Sequence, residues 1–153
     1  MPAVSGILEE YAERGVFRSY SQVESSDGVT RFRFLWLTPE PFDVVFDARR
    51  DALQFRDLLP GIPPGSELAA ELKAFVRGRT AGDLREHRRL DPARLRVIYR
   101  NRGGSVSLTF LIQNGDYEYG VRKAVNLVNE IFLSFLTVYH APYMVRHFQM
   151  WDE

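Results

Sequence analysis

Val4, Ile7, Leu8, Tyr11 and Ala12 recur at the spacing of one helix face, with Glu9, Glu10, Glu13 and Arg14 between them and Gly15 behind. The chain therefore opens with an amphipathic helix that a glycine stops. The period then changes to two. "FRSYSQVE" and "VTRFRFLWL" flank "SSDG", and Phe32, Phe34 and Trp36 alternate with Arg31, Arg33 and Leu35, which predicts a hairpin with one apolar face. "TPEP" interrupts it, because Pro39 and Pro41 have no N–H to give a ladder. "FDVVFDA" resumes with Phe42, Val44 and Phe46 on one side, and "ARRD" turns it into "ALQFRDL". Four strands joined by short connections predict an antiparallel meander, since parallel neighbours need long crossovers.

"PGIPPG" ends the meander. Ser66 is placed to cap a helix that runs to Arg77, with Leu68, Leu72, Phe75 and Val76 on one face and Gly78 past its end. Residues 79–93, "RTAGDLREHRRLDPA", are charged and aperiodic and predict a connection with a short turn of helix. "LRVIYRNR" and "SVSLTFLIQ" flank Gly103 and Gly104 as a second hairpin, in which Leu95, Val97 and Tyr99 alternate on one strand and Val106, Leu108, Phe110 and Ile112 on the other. "QNGD" closes it. The expected class is α+β: one domain over 1–153, with about six antiparallel strands and helices packed on one face. The expected order is helix, four strands, helix, two strands, long helix. A helical tail is expected at 142–153, where Met144, Phe148 and Trp151 share a stripe behind Pro142.

The long helix predicted over Tyr119–Tyr139, "YGVRKAVNLVNEIFLSFLTVY", carries more apolar surface than a sheet alone covers. Arg122, Asn126, Asn129, Glu130, Ser134 and Thr137 form one narrow polar stripe, and the rest is oily. A helix resting on a sheet needs an apolar arc of only about 100°. The first helix is too short to cover the remainder, and an uncovered large side chain forfeits roughly 1.5–3 kcal/mol relative to burial. A twofold homodimer through Ile131, Phe132, Phe135, Leu136 and Tyr139 is expected.

Composition narrows the classes further. Twenty basic and twenty acidic residues cancel among the 153, so net charge supplies no long-range attraction for a polyanion or an anionic membrane. The absence of Cys excludes disulfides, a thiol nucleophile and Cys-ligated metal centres, and fits a reducing compartment. Glu9 and Glu10 stand where a signal peptide needs apolar residues. Arg122, Lys123 and Glu130 stand where a membrane span does. A cytoplasmic protein without a membrane span is expected.

Candidate chemistry is sparse. His87, His140 and His147 have no metal-ligand spacing. Asp43 and Asp47 in an extended strand sit roughly 13 Å apart, so with Asp51 they do not grip one ion. Phosphate-loop, nucleotide-binding and hydrolase motifs are absent, which leaves no expected metal, cofactor or catalytic residue. Tyr117, Glu118 and Tyr119 stand where they could line a polar pocket, or simply begin a helix that Asp116 caps. The arginines of "RFRF", "REHRRL" and "RLRVIYRNR", with Tyr99 as a stacking platform, form the one nucleic-acid candidate. Arginine alternating along a solvent-facing strand is also the ordinary way to keep a sheet edge soluble.

The order of elements resembles that of the class I type III secretion chaperones and the related YbjN-like bacterial proteins. "GVRKAVNLVNEIFLSFL" follows "SVSLTFLIQNGD" as their last helix follows their second hairpin. The resemblance covers most of the chain and rests on topology and length; this chain is neutral where many secretion chaperones are acidic. It implies a dimeric, non-catalytic protein that binds an extended segment of another protein along apolar grooves and strand edges. The leading expectation is therefore a chaperone-like adaptor without cofactors, whose partners are a second copy and another protein. Two alternatives stay open: a single-stranded nucleic-acid binder using an arginine-rich sheet face, and a small enzyme or ligand-binding domain without a recognisable motif.

Overall fold

A computed structural model describes residues 2–24, 27–80 and 89–133. Helix α1 spans Pro2–Glu13, and the meander follows as β1 (Arg18–Glu24), β2 (Val29–Leu35), β3 (Phe42–Asp47) and β4 (Ala52–Leu59). Next come α2 (Glu67–Arg77), a 3₁₀ turn over Gly78–Thr80, β5 (Leu95–Arg102), β6 (Ser105–Ile112) and α3 (Tyr117–Glu130). The six strands form one antiparallel sheet in the order β1-β2-β3-β4-β6-β5. The predicted α+β class and order of elements hold.

Two details differ from the sequence reading. The last helix begins at Tyr117, two residues earlier than its periodicity marks, and widens into a π-type turn over 131–133. The continuation expected to Tyr139 and the tail at 142–153 lie outside the described residues. Asp116 precedes the helix, yet its side chain makes no capping bond. Its carboxylate instead accepts from Arg94 Nε at 3.0 Å. A charged partner across the chain competes better for that oxygen than a neighbouring amide. At α2 the expected cap forms, with Ser66 Oγ accepting from Ala69 N at 3.1 Å.

The strands bury one face. Phe32, Phe34, Val44, Phe46, Leu53, Phe55, Leu108 and Phe110 are all buried and share a single core with α1, α2 and α3, so the helices lie on one side. The opposite face mixes charged and polar residues with apolar ones. One cross-strand row runs Val23, Arg31, Val45, Gln54, Thr109 and Ile98 through all six strands. Val45 is nonetheless buried there, with Arg31 and Gln54 opposite it on the neighbouring strands.

Where the end of β2 meets the start of β3 the core is a chain of aromatic rings. Phe17 stacks on Phe34 at 4.0 Å between centroids, Phe34 on Phe42 at 5.8 Å, and Phe42 meets Phe132 at 5.9 Å. The chain ties the α1–β1 junction to the end of α3. Offset aromatic pairs add roughly 0.5–1.5 kcal/mol each beyond the area they bury.

The apolar surplus of α3 is met on two sides. α1 packs along it, and Arg122 forks onto both carboxylate oxygens of Glu10 at 3.2 and 3.0 Å. On the other side Gly120 presses onto β6: a Cβ placed there would lie 2.6 Å from Ile112 Cγ1. Glycine costs helix stability at that position, and the close helix-to-sheet approach is its return. Replacing Gly120 by Ala is expected to destabilise the protein by about 1–3 kcal/mol through overpacking, despite alanine's better helix propensity. Urea unfolding checks it, and in an Ile112→Ala background the cost should shrink or change sign.

Candidate functional site

β5 ends the sheet. Its residues alternate cleanly: Leu95, Val97 and Tyr99 face the helices, and Arg96, Ile98, Arg100 and Arg102 face the open side. Gly103 and Gly104, with φ of 60° and 96°, form the two-residue turn to β6 and fix the register through Arg102 opposite Ser105. In such a turn the flanking residues are a hydrogen-bonded pair, and alternate pairs follow along the ladder. Arg100, Ile98 and Arg96 therefore spend their backbone groups on β6. Gln113 N donating to Arg94 O at 3.0 Å continues that parity. The N–H and C=O of Val97 and Tyr99 point the other way, to the free side of the sheet, and no backbone partner meets them among the described residues.

Both ends of this strand are held. At one end Asn101 Nδ2 donates to Ile62 O at 2.7 Å, Gly104 N donates to Asn101 Oδ1 at 3.0 Å, and Ile62 N donates to Gly104 O at 2.9 Å. At the other, Leu95 N donates to Asp91 O at 2.9 Å, and Arg94 lies 3.7 Å over the Tyr119 ring while paired with Asp116. That hydrogen bond to Asp116 raises the guanidinium pKa of Arg94 above its ordinary value. Two pinned ends leave a rigid open middle.

The wall facing this middle is α2. Lys73, Val76 and Arg77 form one side of a cleft of about 460 Å³, Leu90 and Pro92 close it, and Leu95 through Tyr99 form the other side. Val76 and Leu95 are buried and make an apolar floor. Among the described residues the charged ones of this lining are basic: Lys73, Arg77 and Arg96. The Tyr99 hydroxyl is buried and finds no hydrogen-bond partner among the described residues.

The opposite edge is different. β1 carries a bulge, with Ser19 at φ 52° and a register jump between Arg18 and Ser21, a device that bends an edge away from further pairing. A second cleft of about 260 Å³ lies between Thr38–Phe42, Arg56–Pro60 and Phe132, with charges of both signs at Glu40, Arg56 and Asp57.

The remaining sequence candidates resolve individually. Of the nucleic-acid candidates, Tyr99 lies on the helix side and Arg96 and Arg100 on the other, while Arg85 and Arg88 lie outside the described residues. Arg31 and Arg33 sit four strand spacings from β5, about 19 Å away, with Asp43 and Asp47 on the strand next to β2. Tyr117 and Tyr119 act as struts. The Tyr117 hydroxyl donates to Asp51 Oδ1 at 2.8 Å, which raises its pKa, and Tyr119 accepts from Asp91 N at 2.9 Å. Glu118 accepts from Arg122 Nε at 3.3 Å. Among the described residues no three His, Cys, Asp or Glu side chains cluster for a metal, and no helix is long and apolar enough to cross a membrane. His87, His140 and His147 lie outside them.

Of the residues expected at a dimer interface, Ile131 is fully buried inside its own chain and Phe132 packs on Phe42. Phe135, Leu136 and Tyr139 lie outside the described residues. Leu133, which was outside the expected interface set, is 59% exposed. Sequence reasoning also missed the free backbone of Val97 and Tyr99, because alternation marks β5 as a strand and is silent on whether the strand has a neighbour.

Comparisons with protein families, with curated proteins and with solved structures returned no match.

The Tyr99 hydroxyl makes one further expectation concrete. Tyr99→Phe removes a buried donor that has no partner among the described residues, so the variant should be as stable as the wild type or more so. Tyr117→Phe, which deletes a satisfied bond, should lower stability by about 0.5–1.5 kcal/mol. Thermal and urea unfolding of the pair test the contrast.

Proposed function

We propose that this protein is a non-catalytic, chaperone-like adaptor that takes an extended segment of a partner protein along the free edge of β5, beside α2. The observation that carries the reading is the open middle of β5. Its outward N–H and C=O groups, on Val97 and Tyr99, are fixed in place by a pinned strand and lie beside an apolar-floored cleft. In strand addition the backbone bonds supply affinity, and pockets for alternate side chains supply selectivity. A strand pinned at both ends loses little freedom when a partner pairs with it, which lowers the cost of binding. The blunted β1 edge leaves β5 as the better template. A chain without cysteine fits the reducing cytoplasm.

A homodimer belongs to the same reading. Its support is Leu133, exposed at the end of α3, and the apolar sequence "SFLTVY" that directly follows it.

Proline at an edge-strand position whose N–H points outward leaves the ladder intact and removes the donor a new strand needs. Peptides selected from a random display library on immobilised wild type should lose about tenfold or more in affinity, about 1.4 kcal/mol, for Val97→Pro. They should bind Val97→Ala almost unchanged. Library peptides that bind the proline variant equally well would sink strand capture.

Sedimentation of the wild type at micromolar concentration should give the dimer mass. Leu133→Asp should give the monomer with its melting temperature little changed, because an exposed charge on the lone chain carries no burial penalty while a charge in an interface does. A wild-type monomer would remove the dimer from the reading.

A further inference from the structure

We infer that the segment taken at β5 is an acidic strand, with carboxylates at alternate positions on the open side of the sheet and apolar residues entering the cleft. The inference rests on strand capture at β5 and specifies its ligand. Arg96, Arg100 and Arg102 project from the open side of β5, spaced by even steps, with Ile98 among them at 39% exposed. Opposite them, β6 offers Leu111, Ser107 and Ser105, and none of these is a carboxylate. No ion pair engages these three arginines among the described residues.

The contrast with the interior of the sheet is direct. Arg33 of β2 stands opposite Asp43 of β3, which stands opposite Arg56 of β4, so in this row a carboxylate lies between two guanidiniums. Opposite charges across a ladder attract and like charges repel. β5 has no such neighbour on its outer side among the described residues; the carboxylate on its inner side is Asp57 of β4, which accepts from Ser105 Oγ at 2.7 Å and makes no ion pair with the three arginines. The cleft on the other side of the same edge adds Lys73, and among the described residues its lining holds no carboxylate. A strand laid along β5 would pass between positive charge on both of its faces.

Register then gives a pattern. Partner residues opposite Arg96, Ile98 and Arg100 are two apart and share one face. They are read as acidic, apolar, acidic, with a further acid opposite Arg102. The residues between them turn into the cleft against Val97 and Val76 and are apolar. Basic side chains on an edge also serve simply to deter aggregation, a role that carries no preference for acidic strands, and the experiment separates the two.

Four fluorescein-labelled peptides suffice, measured by anisotropy against the intact protein. The first is Gly-Ser-Glu-Val-Glu-Val-Ile-Val-Glu-Ser-Gly; the second and third replace each Glu by Gln and by Lys; the fourth keeps the acids and carries Pro for the central Val. The first should bind at least about tenfold tighter than the second at about 50 mM salt, with the gap narrowing at about 500 mM as charges are screened. The third and fourth should not bind. Arg96→Glu with Arg100→Glu, both exposed positions whose folding is checked by circular dichroism, should reverse the order of the first and third. Equal binding of the Glu and Gln peptides, both lost in Val97→Pro, would overturn the acidic preference and leave strand capture standing. Binding of the proline peptide as tight as the first would reduce the effect to charge attraction without a strand. If none of these peptides and no display-selected peptide binds, strand capture fails and the inference fails with it.

Discussion

β6 is the strand on which the rest of the structure depends. It lies between β4 and β5, so its backbone is used on both sides, and Val106, Leu108, Phe110 and Ile112 are all buried beneath the helices. Ile112 receives the bare Gly120 and so sets how closely α3 approaches the sheet. Closing the second hairpin onto β4 through β6 leaves β5 outermost, with α2 standing over it. The cleft, the free edge and the seat of α3 are three consequences of one strand position.

That position also explains why the site is polar at its margins and apolar within. The helix side of every strand must be apolar to share the core, and β5 obeys through Leu95, Val97 and Tyr99. Its open side has no such demand and carries arginine. A segment arriving at the edge meets both chemistries at once, since a strand presents its two faces alternately. Rigidity comes from the ends, where Asn101 is tied to Ile62 and Arg94 to Asp116 and Tyr119. These bonds do not touch the open middle, so they fix its geometry without occupying it.

The surplus apolar surface of the last helix has a partly internal resolution. α1 and β6 cover two sides, and the aromatic chain from Phe17 through Phe34 and Phe42 reaches Phe132 at its end. Ile131 shows how a residue that reads as interface material from its spacing is consumed by its own chain. Leu133, two positions on, is left outside. A helix face is defined by its neighbours as much as by its period.

The amino-acid sequence alone determined the elements and which side of each is oily. Period-two alternation marked β2, β3, β5 and β6, flanking turns marked β1 and β4, period 3.6 marked the helices, Ser66 marked a cap, and Gly103–Gly104 marked a turn; these are local preferences of backbone and side chain, so local residues specify them. What only the tertiary structure decided is who neighbours whom. Leu95, Val97 and Tyr99 read the same whether β5 lies at the centre of a sheet or at its edge, because pairing with β6 on one side leaves the other side's backbone groups unstated. Asp116 reads as a cap until Arg94 arrives from 22 residues away, and Tyr99 reads as a partner for the arginines until the pleat puts it on the opposite face. Each is a contact between segments distant in the chain, fixed by the packing of the whole core and invisible to any window along it.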